Sequence, residues 1–253
     1  MEYALITGAT GGIGYAFAEC FAKEGYGLML VASDRGRLVA AKDRLLQKYK
    51  VPIRVYEQDL SSPKAAEELY KKIQDGQQIT FLINNAGFGL LGATDKIDME
   101  KEEQMLTLNM ITPVKLTKLF GQDMLKRKRG YILNVASTGA FQPGPYNSTY
   151  YASKAFLYNY SRAVRCEWKK RGVSVSTLCP GTTRTRFFER AGTKTPVFAM
   201  TPERVAAYAY RKLRKRKDVI VPGCLNQLLR FVPVSIKLAG VAVMKERQAA
   251  KKV

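Results

Sequence analysis

EYALITGATGGIG, residues 2–14, sets an apolar run directly against a glycine-rich turn and then against the amphipathic pattern of residues 12–25. A short apolar run closed by a turn reads as a buried strand, and the periodic stretch beyond it as a helix, so the glycines stand where a strand hands over to a helix. In that setting Gly8, Gly12 and Gly14 let the backbone turn tightly and come close to a ligand, while the following helix directs its positive end toward it. Thr7, Gly8, Gly12, Ile13 and Gly14 are therefore expected to hold the pyrophosphate of a dinucleotide.

The same alternation continues down the chain. Apolar runs near 2–7, 27–32, 53–58, 79–84, 130–136, 173–179 and 218–221 alternate with helical patterns near 12–25, 36–49, 62–74, 99–127, 149–171 and 202–215. This predicts an α/β fold of Rossmann type, a doubly wound parallel sheet of about seven strands with helices on both faces. The stretch 99–127 reads as one long helix or as two broken around Pro113. At 253 residues and 46% hydrophobic the chain can bury a substantial core. One domain is expected over 1–222, with 223–253 as its carboxyl-terminal amphipathic and helical extension.

The residues that can do chemistry gather in STGAFQPGPYNSTYYASK, residues 137–154. Tyr150 and Lys154 are four apart and share a face if the run from Thr149 is helical. A nearby ammonium favours the phenolate, which would lower the tyrosine pKa toward working pH and suit it to general acid/base work. Tyr151 is one position off that pairing and points about 100° around the helix. The chain contains no histidine, which excludes Ser-His-Asp hydrolysis, histidine-ligated zinc and histidine proton relays.

Taken together these segments resemble the short-chain dehydrogenase/reductase family, and in particular a bacterial branch with an amphipathic carboxyl-terminal extension. Five motifs stand in the family's order between residues 7 and 185. They are TGATGGIG (7–14), NNAG (84–87), Asn109 in LNMITP, Val-Ala-Ser ending at Ser137 with Tyr150 and Lys154 beyond it, and CPGTTRT (179–185). The resemblance implies an NAD(P)-dependent oxidoreductase that moves a hydride between a nicotinamide and a ketone or secondary alcohol. It makes Ser137 the hydrogen-bonding partner of the carbonyl oxygen and Tyr150 its proton donor. Lys154 would hold the ribose hydroxyls, and Asn109 would interrupt its helix and hold a water in a relay to Lys154. Asn85, Ala86 and Gly87 would support the cofactor cleft, and Asp59 would face the adenine side. Pro180 and Gly181 would border the nicotinamide, Thr185 would reach its carboxamide, and 182–200 would form a substrate lid.

Cofactor choice rests on the end of the second strand. A general spacing rule points to Asp34 as the acid that holds adenosine ribose hydroxyls. The family pattern instead puts the selecting slots at Ala32 and Ser33, so the acid slot is vacated. Ser33, Arg35 and Arg37 are then expected to meet a 2′-phosphate, which favours NADP over NAD.

Forty-two Lys and Arg against twenty-one acids leave a net charge of +21, part of it in the runs 126–129, 169–171 and 211–217. Helices ending in basic residues complement their own dipoles, and the runs lack the aromatic interleaving of a single-strand binding surface, so nucleic acid is an unlikely partner. Cys20, Cys166, Cys179 and Cys224 form no C-x-x-C pair and read as buried free thiols of a reducing cytoplasm. No secretory leader is expected. The tail has two readings, an apolar flap or subunit contact, and a peripheral foot on an anionic membrane. The expected partners are a hydrophobic carbonyl or alcohol and a second copy in a homodimer or homotetramer. A non-catalytic nicotinamide sensor or scaffold, at a membrane or nucleic acid, is the alternative.

Overall fold

The protein is described here by a computed structural model that covers the chain apart from residues 74–75, 188–195, 197–198 and 251–253. Its sheet is parallel, with strand order β3-β2-β1-β4-β5-β6-β7. The strands are β1 (Glu2–Thr7), β2 (Gly27–Ala32), β3 (Ile53–Glu57), β4 (Gln78–Asn84), β5 (Gly130–Val135), β6 (Val173–Leu178) and β7 (Val219–Ile220). The helices between them are α1 (Gly12–Lys23), α2 (Arg35–Leu46), α3 (Ala65–Ile73), α4 (Met99–Leu106), α5 (Thr112–Lys126), α6 (Ser148–Trp168) and α7 (Pro202–Arg214). Side chains alternate across each strand, so one sequence supplies two apolar faces. Ile6, Leu30 and Phe81 pack with Phe17, Phe21 and Leu213 on one side. Leu5, Met29 and Leu82 pack with Leu69, Leu116 and Phe120 on the other. The order reverses between β1 and β4, and the cleft described below opens at that switch point.

The stretch 99–127 is not a single regular helix but two α-helices that meet around Pro113 through a π turn. Pro113 sits in the first turn of α5, where a missing N–H is tolerated, and the irregularity lies just before it as a π turn over Thr107–Ile111. That places the disturbance on Asn109.

A polar ladder crosses the middle of the otherwise apolar sheet. Asn84 Nδ2 donates to Asn134 Oδ1 at 2.8 Å and to Thr117 Oγ1 at 3.3 Å, and Asn134 Nδ2 donates to Ser161 Oγ at 2.8 Å. Asn84 and Asn134 are register partners in β4 and β5, so the ladder locks α5 and α6 to the sheet at one level.

Beyond β7 the tail forms α8 (Cys224–Leu228) and α9 (Val234–Ala250). It exposes Leu225 at 73% and Phe231 at 82% of their surface. No helix among the described residues is long and apolar enough to cross a membrane. The cysteines are free, but the expectation that all are buried is met in full only by Cys179. Cys166 and Cys224 are exposed, Cys20 is half-buried and Cys179 is buried. Cys166 lies off the stripe of Leu157, Ser161 and Val164 that α6 turns inward, and Cys224 opens a helix that buries none of its own residues.

Replacing Asn134 with alanine removes two hydrogen bonds from a dry layer and leaves Asn84 with only its longer bond to Thr117 and Ser161 with only its bond to the Leu157 carbonyl. The expected cost is about 2–4 kcal/mol. That corresponds to a melting temperature lower by on the order of 10 °C in calorimetry. An unchanged melting temperature would mean that the ladder contributes nothing net.

Candidate active site

At the carboxyl ends of the strands a cleft of about 500 Å³ runs from the glycine turn to the amino end of α6. Gly8 and Gly12 adopt φ of +66° and +54°, the left-handed region that other residues enter only at a cost. A Cβ on Gly12 would lie 2.9 Å from Thr185 Cγ2, so the turn and the start of the lid are in close contact. Gly14 packs against the Gly8 carbonyl with no room for a side chain, and it serves helix–strand packing rather than the cleft wall. Thr7 is likewise behind the wall. It is buried, and its hydroxyl accepts from the Asn85 and Ala86 N–H groups at 2.9 and 3.0 Å, fastening that turn to β1. Thr7 and Gly14, both expected at the ligand, thus stand one layer behind the cleft wall in this structure.

Lys154 is 4% exposed, and its Nζ donates to the Val135 carbonyl at 3.0 Å. The amine lies 5.7 Å from the Tyr150 ring centroid. A Cβ on Gly87 would stand 3.3 Å from that amine and 2.7 Å from Asn109 Oδ1, so the glycine of NNAG leaves the space these two groups occupy. Asn109 is fully buried and does not line the cleft; its Nδ2 donates to the Phe88 carbonyl at 2.9 Å and to Ser153 Oγ at 3.2 Å. Pro113 offers no N–H to the Asn109 carbonyl four residues earlier, which is why the π turn falls there.

Burial, not charge, dominates the titration of this pair. It pushes the Tyr150 phenol up, against the pull of the Ser137 hydroxyl, and pushes Lys154 down to about 8. The expectation that the lysine lowers the tyrosine pKa is therefore not met here, because desolvation disfavours the charged form of both groups. Tyr151 is more than a bystander. Its ring packs on Gly139 and Gly144 and forms part of the cleft wall beside Tyr150.

At the other end of the cleft, Ser33, Asp34, Arg37 and Asp59 line the wall. Asp34 caps α2 through the Arg37 N–H at 2.9 Å and pairs with Arg37 Nε at 3.2 Å. Arg35, also expected there, is exposed and does not line the cleft. With the cap at Asp34, Arg35 begins the helix, and Arg37 is the arginine that pairs with the cap. Asp59 accepts from the Ser61 N–H at 3.0 Å and hydroxyl at 2.7 Å. Ile13, Asn85, Ala86, Gly87, Pro180, Gly181 and Thr185 all reach the wall. Of the lid expected over 182–200, residues 188–195 and 197–198 lie outside the described residues. Its two ends are pinned by Arg184 N–H to the Met200 carbonyl at 2.8 Å and Met200 N–H to the Thr182 carbonyl at 3.0 Å.

The family model for short chain dehydrogenase matches residues 2–196. The chain belongs to the short-chain dehydrogenase family. Its relatives include a 7beta-hydroxysteroid dehydrogenase of Mediterraneibacter gnavus, 30% identical over 225 residues, 87% of this chain and 85% of that one. A very-long-chain 3-oxoacyl-CoA reductase of Phaeosphaeria nodorum is 35% identical over 181 residues, 70% of this chain and 53% of that one. Among solved structures, the short-chain dehydrogenase of Sphingobium yanoikuyae in complex with NADPH superposes with a TM-score of 0.84 at 29% identity, covering 100% of this chain and 95% of that one. The bulky-bulky ketone specific alcohol dehydrogenase of Comamonas testosteroni gives 0.81 at 28% identity, covering 97% and 94%.

This short-chain dehydrogenase also has wall residues that motif reading missed. The Phe187 ring packs at a tilt against the Tyr150 ring, centroids 5.3 Å apart, while Gln142 and Asn147 border the same end. The glycine cradle suits a dinucleotide, since its backbone is open at Gly8, Gly11 and Gly12 and the adenosine end carries both an acid and a base. Gln142, Asn147 and Phe187 sit in irregular stretches with no periodicity to flag them.

The depressed Lys154 pKa has a thermodynamic consequence. The unfolded chain binds a proton at this lysine up to its ordinary 10.5, the folded chain only to about 8, so stability of the cofactor-free protein gains with pH through that window. Lys154→Met removes the titrating group. Calorimetry from pH 8 to 10.5 should show a flatter rise for the variant than for the parent, and identical slopes would contradict the burial argument.

Proposed function

We propose that this enzyme catalyses reversible hydride transfer between NADP(H) and a ketone or secondary alcohol of largely apolar body, with Tyr150 as general acid and base. The observation that carries the reading is the gathering of Ser137, Tyr150 and Lys154 at one end of a cleft whose other end is the glycine turn. When bound, the nicotinamide cofactor supplies or accepts the hydride. Ser137 orients the carbonyl oxygen by hydrogen bonding. Tyr150, whose phenol burial keeps protonated, gives its proton to that oxygen as negative charge builds during reduction. Lys154 beside it becomes easier to protonate as the phenolate forms, so the two titrations are coupled. Asn109 steadies α6 through Ser153, whose hydroxyl donates to the Tyr150 carbonyl at 2.7 Å.

NADP is supported by Arg37 at the cleft wall and by the NADPH complex of the Sphingobium relative. An apolar substrate is supported by the names of the hydroxysteroid and bulky-ketone relatives. A sensor or scaffold without turnover is disfavoured, because such a role does not call for a phenol, a hydroxyl and a buried amine held together. The reading takes 1–222 as the catalytic domain and 223–253 as its extension, in a cytoplasmic homodimer or homotetramer paired through the helical stretches 99–127 and 149–171.

Tyr150→Phe should lower turnover by roughly a thousandfold. Its NADPH affinity should stay close to that of the parent, and Tyr151→Phe should change turnover only mildly. Absorbance loss of NADPH over a panel of carbonyl compounds measures the first, and cofactor fluorescence titration the second. Equal losses from the two variants would sink the assignment of Tyr150.

The tail adds a peripheral contact to this reading, because Leu225, Leu228, Phe231 and Ile236 are exposed on a segment with six basic residues and one acid. Co-sedimentation with anionic liposomes should be strong at low salt, weaken with added salt and be lost on truncation after Gly223. No sedimentation at low salt would leave those residues to a subunit contact.

A further inference from the structure

Two of the turns that border the reacting end of the cleft are gripped from outside by the tail. Lys237 of α9 is 8% exposed, and its Nζ donates to the Phe141 carbonyl at 2.8 Å. The Arg230 guanidinium lies 5.6 Å over the Phe141 ring, whose opposite contact is an edge-on packing against Tyr158 of α6 at 5.4 Å. Phe141 closes a 3-10 turn, Thr138–Phe141, whose first residue follows Ser137. Ser137 itself caps that turn. Its Oγ accepts from the Gly139 N–H at 3.0 Å and its carbonyl accepts from the Ala140 N–H at 3.0 Å. The Thr138 N–H in turn donates to the Pro180 carbonyl at 3.0 Å, and the Asn226 amide of α8 fills the space beside Gly181 that a Cβ would take. Asn226 and Gln227 are anchored to the Pro222 and Val221 carbonyls at 2.8 and 3.0 Å.

We propose that the carboxyl-terminal extension is a clamp on the active site, with Lys237 as a positioning residue that acts through Ser137. The physical reason lies in the Phe141 carbonyl. The last carbonyls of a helical turn lack intrahelical partners, and a cation is the favoured partner at that end. Here the cation comes from a segment 96 residues away, and it closes the turn that aims the Ser137 hydroxyl. A lysine stem is long and costly to immobilise, so holding it buried for a single carbonyl is explained by what that carbonyl orders. The proposal rests on Ser137 as the hydroxyl that binds the substrate carbonyl.

Lys237→Met keeps the apolar stem and removes the donor. We expect kcat to fall on the order of tenfold, since small displacements of a catalytic hydroxyl are costly. NADPH affinity and melting temperature should stay near those of the parent, and Lys237→Arg should recover most of the loss. In a Ser137→Ala background the same Lys237→Met change should cost less than about twofold, because nothing remains for the clamp to aim. Hydrogen exchange at Gly139 and Ala140 should quicken in Lys237→Met, and this readout does not depend on turnover. An undiminished tenfold loss in the Ser137→Ala background would overturn the clamp. Unchanged exchange in residues 138–141 would do so too, even if no carbonyl compound were turned over by the parent and the proposed activity itself failed.

Discussion

Taking an amine out of water is the constraint on which the rest of this structure depends. Lys154 is held almost without solvent contact, with the Val135 carbonyl as its described hydrogen-bond partner, so the charged form is destabilised and the group titrates far below its usual range. That position requires a strand end on one side, an α6 pinned in rotation on the other, and a glycine at 87 so that the turn after β4 does not fill the space. The pinning is redundant. Ser161 bonds to Asn134, Ser153 to Asn109, and Thr149 to Glu102 of α4, so α6 cannot roll without breaking polar contacts at three levels.

The cleft is the product of the same arrangement. Parallel strands open at the switch between β1 and β4, the glycine turn lies there because it follows β1, and the Tyr150 end lies opposite because α6 follows β5. The wider turn before Pro113 carries Asn109, whose one amide serves two neighbours, Phe88 and Ser153. The membership in the short-chain dehydrogenase family and the geometry agree on one arrangement, a phenol and a buried amine at one end of a cleft whose other end is a glycine turn.

The excess of positive charge is partly absorbed by structure. Arg214 and Arg216, from the basic run at the end of α7, lie over the rings of Tyr26, Phe81 and Tyr131. Arg127 donates to the Ile79 carbonyl, and Arg129 pairs with Glu2 at 2.8 Å. These side chains close the end of the sheet opposite the cleft, where long basic stems cover aromatic rings while their charges stay near water. Such commitments account for part of the runs without invoking a polyanionic partner.

By itself the sequence determined the order and type of the elements, because period-two and helical apolar patterns are local and strong, and the seven strands and six of the helices lie within a few residues of where the patterns put them. It also determined that Tyr150 and Lys154 come together, since four-residue spacing on a helix is a local fact. Only the tertiary structure decided which candidates face the cleft. Thr7, Gly14, Arg35 and Asn109 were indistinguishable in sequence from their lining neighbours, yet the first two and Asn109 stand behind the wall and Arg35 is exposed at the start of α2. The sense of the pKa shifts was equally out of reach, because desolvation is a property of everything packed around a group, whereas spacing reveals only its nearest charge. The grip of Lys237 on Phe141 was beyond reading for the same reason, as no local pattern joins residues 96 apart until the chain has folded.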